Sequence, residues 1–474
     1  MSSELPGHVR DRGGLGFRVG APEALSEPPA PASSARGLDY GRTQRPLSGW
    51  GWLSARLGWL GFAGVILSVS LLALSAARTD LLLPESVRPV PSSLQGAFGG
   101  GGIDLGLGGL AVVLALMFVA YAAMVRGADQ LTARPVLIAI GCLTLIVLLA
   151  PLMLSTDVFS YIAYGRIGGV YGFNPYLAGP GAILRDPLYP YIGTQWVNTA
   201  STYGPLFTAI SYLFAHLSIP TQVNAYKMIA GASSLLLVWV VWSSARIRGL
   251  NPVKAVAIVG LNPVVVIFGV GGGHNDLLMV AIAMCGVYAL LQHRPRASGA
   301  LLVAATAVKL TAGLMLPFAF AHVARGMGGA RPRRALLAGA ATAAAVAVGL
   351  SFALFGVGWL HLFATLVQVQ AQGGIHSVPG LFLTPIGIDA FAAVVHGALD
   401  LVFVGFLVWL TREIWFGRID WITAAGWATV AMLCTAGLLL PWYVAWLVPL
   451  AALSRDRALL VATVLLTGLG LTTL

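Results

Sequence analysis

Long apolar runs separated by short polar turns set the plan of this chain. After residues 1–53, rich in Gly, Pro, Ser and Arg and without hydrophobic period, apolar runs fall at about 57–76, 105–124 and 136–154. Others follow at about 223–244, 256–270, 277–291, 300–323, 335–355, 390–410, 422–439, 441–453 and 459–474. A helix needs about 20 apolar residues to cross a bilayer. The pattern predicts an all-α integral membrane protein of roughly 11–13 transmembrane helices. Residues 54–474 form its membrane domain, and 1–53 read as a disordered tail.

The largest interruption follows the third run. Residues 156–204 are aromatic and rich in Gly and Pro, and predict a large loop carrying juxtamembrane helices. The apolar segment 205–217 is short, and the three positive charges of the 246–254 loop, placed inside, read it as juxtamembrane or re-entrant, with a span as the alternative. The runs at 256–270 and 277–291 form a hairpin whose tip is GGGHND. The run at 300–323 carries Lys309 near its middle and has basic residues beyond both ends. That suggests two half-helices meeting inside the membrane, with a single span as the alternative. A second loop, 356–389, holds the turn GGIHSVPG with His376. No internal repeat supports an inverted-repeat transporter.

Composition agrees with the pattern. The chain has 474 residues, 58% of them hydrophobic and 9% charged, where soluble domains carry about a quarter charged residues. Its net charge of +11 is no sign of nucleic-acid binding. Six arginines lie in the tail between Arg10 and Arg45, and most others in short loops, which is the positive-inside bias of a cell-membrane protein. By that rule the N-terminus is cytoplasmic and the 156–204 loop extracytoplasmic. Cys142, Cys285 and Cys434 all sit in apolar runs and imply neither a disulfide framework nor a metal cluster. No phosphate-loop, dinucleotide, zinc-protease or serine-hydrolase motif is present, which argues against a nucleotide-driven pump or a conventional hydrolase.

Chemistry-bearing side chains cluster at the interruptions. Asp157 stands within a turn of the third run, where an ionisable group is costly and a functional role is the first reading. An interfacial acid paired with Arg166 is the alternative. Tyr161 and Tyr164, at i+4 and i+7, share its face if the segment is helical. Asn174 and Tyr176 in GFNPYL, and Tyr203 in STYGPL, sit in turns where they can meet sugar rings or simply set the loop. His274, Asn275 and Asp276 gather at the hairpin tip, where they suit an anion, a sugar hydroxyl or a metal. Lys309 calls for an anion, either a lipid-linked phosphate or a structural acid.

In order along the chain, TDVFSYIAYGRI, GFNPYLAGP, TYGPLF, LNPVVVIFGVGGGHNDLLM, AVKL and LPWYVAWLVPL resemble the actinobacterial polyprenol-phosphate-mannose-dependent α-1,6-mannosyltransferases. These belong to the GT-C class of membrane glycosyltransferases, and the resemblance runs from about Trp59 to the C-terminus. It implies a GT-C fold, a polyprenyl-phosphate-sugar donor, a lipid-anchored α-1,6-mannan acceptor and inverting transfer on the extracytoplasmic face. Asp157 would be the general base, and Lys309, Arg166 and His274 the candidates for the donor phosphate. Tyr161, Asn174, Tyr176, Tyr203, Asn275, Asp276 and His376 would be candidates for sugar and acceptor. Many members carry two acids in the first motif, whereas position 159 is Phe here, which favours a metal-independent site. No cofactor is expected, and a divalent ion stays open. The alternatives are transfer of another sugar such as glucose or arabinose, and a secondary transporter using Asp157, Lys309 and Asp276.

Overall fold

The structure, a computed structural model, describes residues 49–326, 329–370, 377, 380 and 392–472. Of the expected tail 1–53, residues 1–48 lie outside the described residues, as does the turn bearing His376, whereas 49–53 are not tail but the start of the first helix, Gly49–Ser75. Among the described residues the elements are all helical, with no β-strand. Leucines such as Leu67 and Leu401, at 71% and 76% exposure, cover the outside of the bundle. An exterior that apolar suits lipid and not water. This is a multi-pass membrane protein with the all-α architecture of the GT-C class.

Helices α1 (Gly49–Ser75), α2 (Gly106–Gly127) and α3 (Ala133–Leu149) open the bundle. Asp157 does not continue α3, as the apolar pattern suggested. Pro151 cannot prolong a helix, and Leu154 takes a left-handed φ of 67°. Residues 150–156 therefore form a non-helical strap, after which Asp157 begins α4 (Asp157–Gly169). Short 3₁₀ turns lead from there to α5 (Pro205–Phe214). Ten residues rise about 15 Å against about 30 Å of hydrocarbon, so α5 is too short to span, in line with the juxtamembrane reading.

Next come α6 (Ile219–Ile247), with Ser218 as its N-cap, and α7 (Pro252–Gly260), capped by Asn251. A π-helical stretch, Val264–Val270, is bent 47° from α7. The break is at Asn262–Pro263, and Asn262 does more than start a helix. Its Oδ1 accepts from the Val264 and Val265 amides, and its Nδ2 donates to the Tyr121 hydroxyl and Thr467 Oγ1. One amide thus satisfies the broken backbone and ties the hairpin to the second and last helices of the chain. The hairpin's second arm is α8 (Asp276–Leu291), and residues 255–277 are buried throughout.

The lysine-bearing run is two half-helices, as its charge pattern suggested. Helix α9 (Pro295–Val308) ends at Lys309, which is extended at φ −152° and ψ 126°. A 3₁₀ turn, Leu310–Leu314, leads into α10 (Met315–Gly326). Helices α11 (Ala330–Phe355), α12 (His361–Gln370), α13 (Ala392–Phe416) and α14 (Trp421–Thr435) follow. The chain then runs through a 3₁₀ helix, Pro441–Trp446, to α15 (Val448–Leu453) and α16 (Arg457–Leu471). Among the described residues, four helices are long and apolar enough to cross a membrane alone, or five if the bent pair counts as one span. Seven further apolar helices are only 10–17 residues long. Pro151 just past α3 and the extended Lys309 after α9 shorten two of these, and the side chain of Lys227 takes up the Ala150 and Pro151 carbonyls so freed.

Candidate active site

The strap between α3 and α4 is tied on both sides. The Met153 amide donates to Gly271 O at 3.1 Å and the Leu154 amide to Leu82 O at 2.9 Å. Ser155 Oγ accepts from the Asp157 amide at 3.1 Å and so starts α4. Asp157 then sits in the first turn, where the helix dipole favours a carboxylate. Its side chain is 13% exposed, and its Oδ2 lies 3.7 Å from His274 Nε2. Burial holds the Asp157 carboxyl above its ordinary value, and the neighbouring His274 and Lys309 only partly offset that.

His274 is presented by the glycine turn of the hairpin. Gly273 has φ +63°, and a Cβ there would meet Val158 Cγ2 at 2.8 Å, so no larger residue fits between the tip and α4. The His274 ring is fully buried and stacks on Trp442 with centroids 3.9 Å apart. Its Nδ1 lies 2.8 Å from Phe268 O. A carbonyl only accepts, so Nδ1 carries a proton and Nε2 is the atom facing Asp157.

One residue further on, Asp276 fixes the lysine. Its Oδ1 accepts from Lys309 Nζ at 2.7 Å and from Trp446 Nε1 at 2.6 Å. Lys309 Nζ also stands 4.6 Å above the Tyr443 ring and 5.1 Å from that of Trp446, in cation–π range. The STYGPL turn is bound to this break: the Gly204 amide donates to Val308 O at 3.0 Å. A Cβ on Gly204 would lie 2.2 Å from Ala307 O, so the approach requires glycine. These ties gather Asp157, Ser160, Tyr164, Trp196, Tyr203 and Lys309 around one cavity of about 200 Å³. A smaller apolar crevice of about 30 Å³ shares Thr311, Met432 and Trp446 with it and is lined further by Met279, Met284 and Leu450. The cavity can hold a small polar group among a carboxylate, an ammonium and apolar walls.

Residues 58–325 match a family model described as alpha-(1->6)-mannopyranosyltransferase, N-terminal domain, and residues 202–474 match glycosyltransferase family 87. The chain belongs to the alpha-(1->6)-mannopyranosyltransferase family. It is 35% identical over 247 residues to alpha-(1->6)-mannopyranosyltransferase A of Mycobacterium tuberculosis, covering 48% of this chain and 46% of the relative. With alpha-(1->6)-mannopyranosyltransferase A of Corynebacterium glutamicum it shares 34% identity over 169 residues, 35% of this chain and 34% of the relative. The chain thus spans about half the length of the first relative or less. A Mycolicibacterium smegmatis protein named probable alpha-(1->6)-mannopyranosyltransferase is 27% identical over 369 residues, 68% of this chain and 66% of its own length. No solved structure matches.

In this mannopyranosyltransferase-family chain, the residues singled out from sequence divide into three groups. Asp157, Lys309 and Tyr203 reach the cavity wall. His274, Asn275 and Asp276 lie buried behind it. Tyr161 is buried too, its hydroxyl donating to Asn275 Oδ1 at 3.4 Å and its ring edge-on to Tyr203 and Phe207. Arg166, Asn174 and Tyr176 do not line the cavity. Arg166 donates through Nε to buried Asp186 and through Nη1 to Ala215 O, so it pairs with neither Asp157 nor the cavity. Burial alone would raise the Asp186 carboxyl, but Arg166, the Leu188 amide and Tyr171 hold it below its ordinary value. Asn174 donates to Phe355 O at 2.6 Å, and the Tyr176 hydroxyl donates to Tyr203 O at 2.9 Å, so both brace the loop from inside.

Sequence reasoning passed over Ser160, Trp196, Thr311, Tyr443 and Trp446. Ser160 was within reach, since i+3 from Asp157 on a helix shares its face. The aromatic run PWYVAW after a proline was a second usable signal. Among the described residues no three His, Cys, Asp or Glu side chains come together to hold a metal ion.

Proposed function

We propose that this chain transfers mannose from a polyprenyl-phosphate-mannose donor to a growing α-1,6-mannan on a lipid anchor, at the extracytoplasmic face of the cell membrane. The observation that carries this reading is that Asp157 and Lys309 both stand on the wall of one cavity whose remaining lining is largely apolar, with Leu366, Leu433, Leu438 and Leu440. Family membership favours sugar transfer over the transporter alternative. The names of the relatives favour mannose over glucose or arabinose.

An acceptor hydroxyl attacks C1 of the donor sugar as the C1–O bond to phosphate breaks, so a β-linked donor gives an α-linked product. Asp157 takes the hydroxyl proton as general base. The departing phosphodiester becomes a polyprenyl monophosphate and gains negative charge. Lys309, held at the cavity wall by Asp276, stabilises that charge where it develops. Tyr164, Tyr203 and Trp196 offer rings to the sugars, while the Tyr164 hydroxyl is held by Thr199 O at 2.9 Å. The isoprenoid chain leaves along the apolar side of the cavity, past Leu366, Met432, Leu433 and Leu438. His274 Nε2 faces Asp157 and can accept a hydrogen bond from the carboxyl once it is protonated.

The base works only when ionised, and burial raises the Asp157 pKa above the ordinary 3.8. Activity is therefore fully present above the raised pKa and falls as pH drops through it. The acid limb of kcat/KM is expected to lie above pH 3.8 in the wild type and to vanish in the residual rate of Asp157→Asn. A wild-type rate that stays flat down to that pH would contradict the assignment of Asp157.

A further inference from the structure

Lys227 is a buried lysine that the mechanism above does not use. It lies eight residues into α6 and is 2% exposed. Among the described residues no carboxylate forms an ion pair with it; its ammonium donates instead to two backbone carbonyls, Ala150 O and, at 3.1 Å, Pro151 O. Those carbonyls stand just past the last turn of α3, where helix C-termini leave acceptors without partners and the dipole is negative. They also belong to the strap that leads to Asp157, whose other ties are the Met153–Gly271 and Leu154–Leu82 hydrogen bonds. The same side chain touches the other half of the site. A Cβ on Gly273 would come within 3.5 Å of Lys227 Cγ, so its stem runs directly beneath the turn that presents His274.

We infer that Lys227 is a positioning residue, a cationic clamp that holds the Asp157 strap and the His274 turn in register. This rests on Asp157 acting as the base. Burying an ammonium is costly, and an uncharged donor would satisfy a carbonyl with less desolvation. What the long charged side chain adds is reach. From a neighbouring helix it grips the strap at two successive carbonyls while its stem supports the hairpin tip. A carboxylate displaced by about 1 Å from a reacting hydroxyl loses up to about a hundredfold in rate.

The groups facing Asp157 are His274 from the tip, Asp276 from α8, Lys309 from the break, Tyr161 and Tyr164 on α4, Tyr203 from its turn and Tyr443. Lys227→Met changes none of these residues, so a change in the acid limb reports movement of the strap or of the His274 turn. The test compares Lys227→Met and Lys227→Arg with wild type in detergent, reading kcat, donor KM, the acid limb and amide hydrogen exchange of residues 152–159 and 271–275. Lys227→Met is expected to lower kcat about tenfold to a hundredfold with donor KM unchanged. Its acid limb should move down towards that of an ordinary carboxylate as the strap hydrates, and exchange should speed up in that segment and in the turn 271–275, and not elsewhere. Lys227→Arg should restore most of kcat. Unchanged exchange in 152–159 on Lys227→Met overturns the clamp whatever the activity. A kcat loss with an unmoved acid limb and exchange raised throughout the chain overturns it too, by reducing Lys227 to general stability. A normal kcat in Lys227→Met alongside an inactive Asp157→Asn would reject the clamp and leave the base assignment standing.

Discussion

Asp157→Asn is expected to lower kcat/KM by about a hundredfold to ten-thousandfold, the range removed with a general base. Asn keeps the shape and the place at the head of α4 and loses only the capacity to take a proton. Nothing in the fold hangs on the charge: the Ser155 hydrogen bond goes to the Asp157 amide, and the contact with His274 is a long 3.7 Å. Elution on gel filtration and donor KM should therefore match the wild type, with the loss confined to turnover. A rate within twofold of wild type would mean that another group removes the proton.

Lys309→Met is expected to reduce kcat by about a hundredfold to a thousandfold, as for removal of one donor that stabilises transition-state charge. Stability should fall as well. Asp276 is 1% exposed on its side chain, its Oδ2 has no hydrogen-bond partner among the described residues, and Lys309 supplies its counter-charge. Stranding a buried carboxylate in this way costs about 3–5 kcal/mol. The double variant Lys309→Met with Asp276→Asn separates the two effects. It should regain most of the thermal inactivation midpoint and none of the turnover. Recovery of turnover in the double variant would show that Lys309 serves only to neutralise Asp276.

The breaks in the bundle were readable from charge and turn residues. A lysine in the middle of an apolar run, GGGHND between two such runs and a short apolar stretch read as juxtamembrane each appear where expected. Side-chain partners were less readable, because they come from elsewhere in the chain. Arg166 looks like an interfacial cation near Asp157, yet Asp186 claims it from a loop twenty residues away. Asn174 and Tyr176 sit in turns that look open to a sugar, and their polar atoms point inward to Phe355 O and Tyr203 O. Lys309 posed the choice between phosphate and acid, and the structure supplies the acid, at 2.7 Å, with the cavity beside it. Lys227 is masked by the hydropathy of its run, since one lysine barely lowers the mean over a window of about 19 residues. The strap at 150–156 was hidden for a similar reason, its apolar residues Leu152, Met153 and Leu154 passing for the end of a span.

The most direct measurement gives the purified protein a short α-1,6-mannoside with mannose-labelled polyprenyl-phosphate-mannose or, in parallel, a nucleotide-linked mannose. The linkage of the product is then read by NMR. The account predicts transfer from the lipid-linked donor alone, a product extended by one α-1,6-mannose, and none with Asp157→Asn. Transfer from the nucleotide-linked sugar, a β-linked product, or full activity in Asp157→Asn would contradict it.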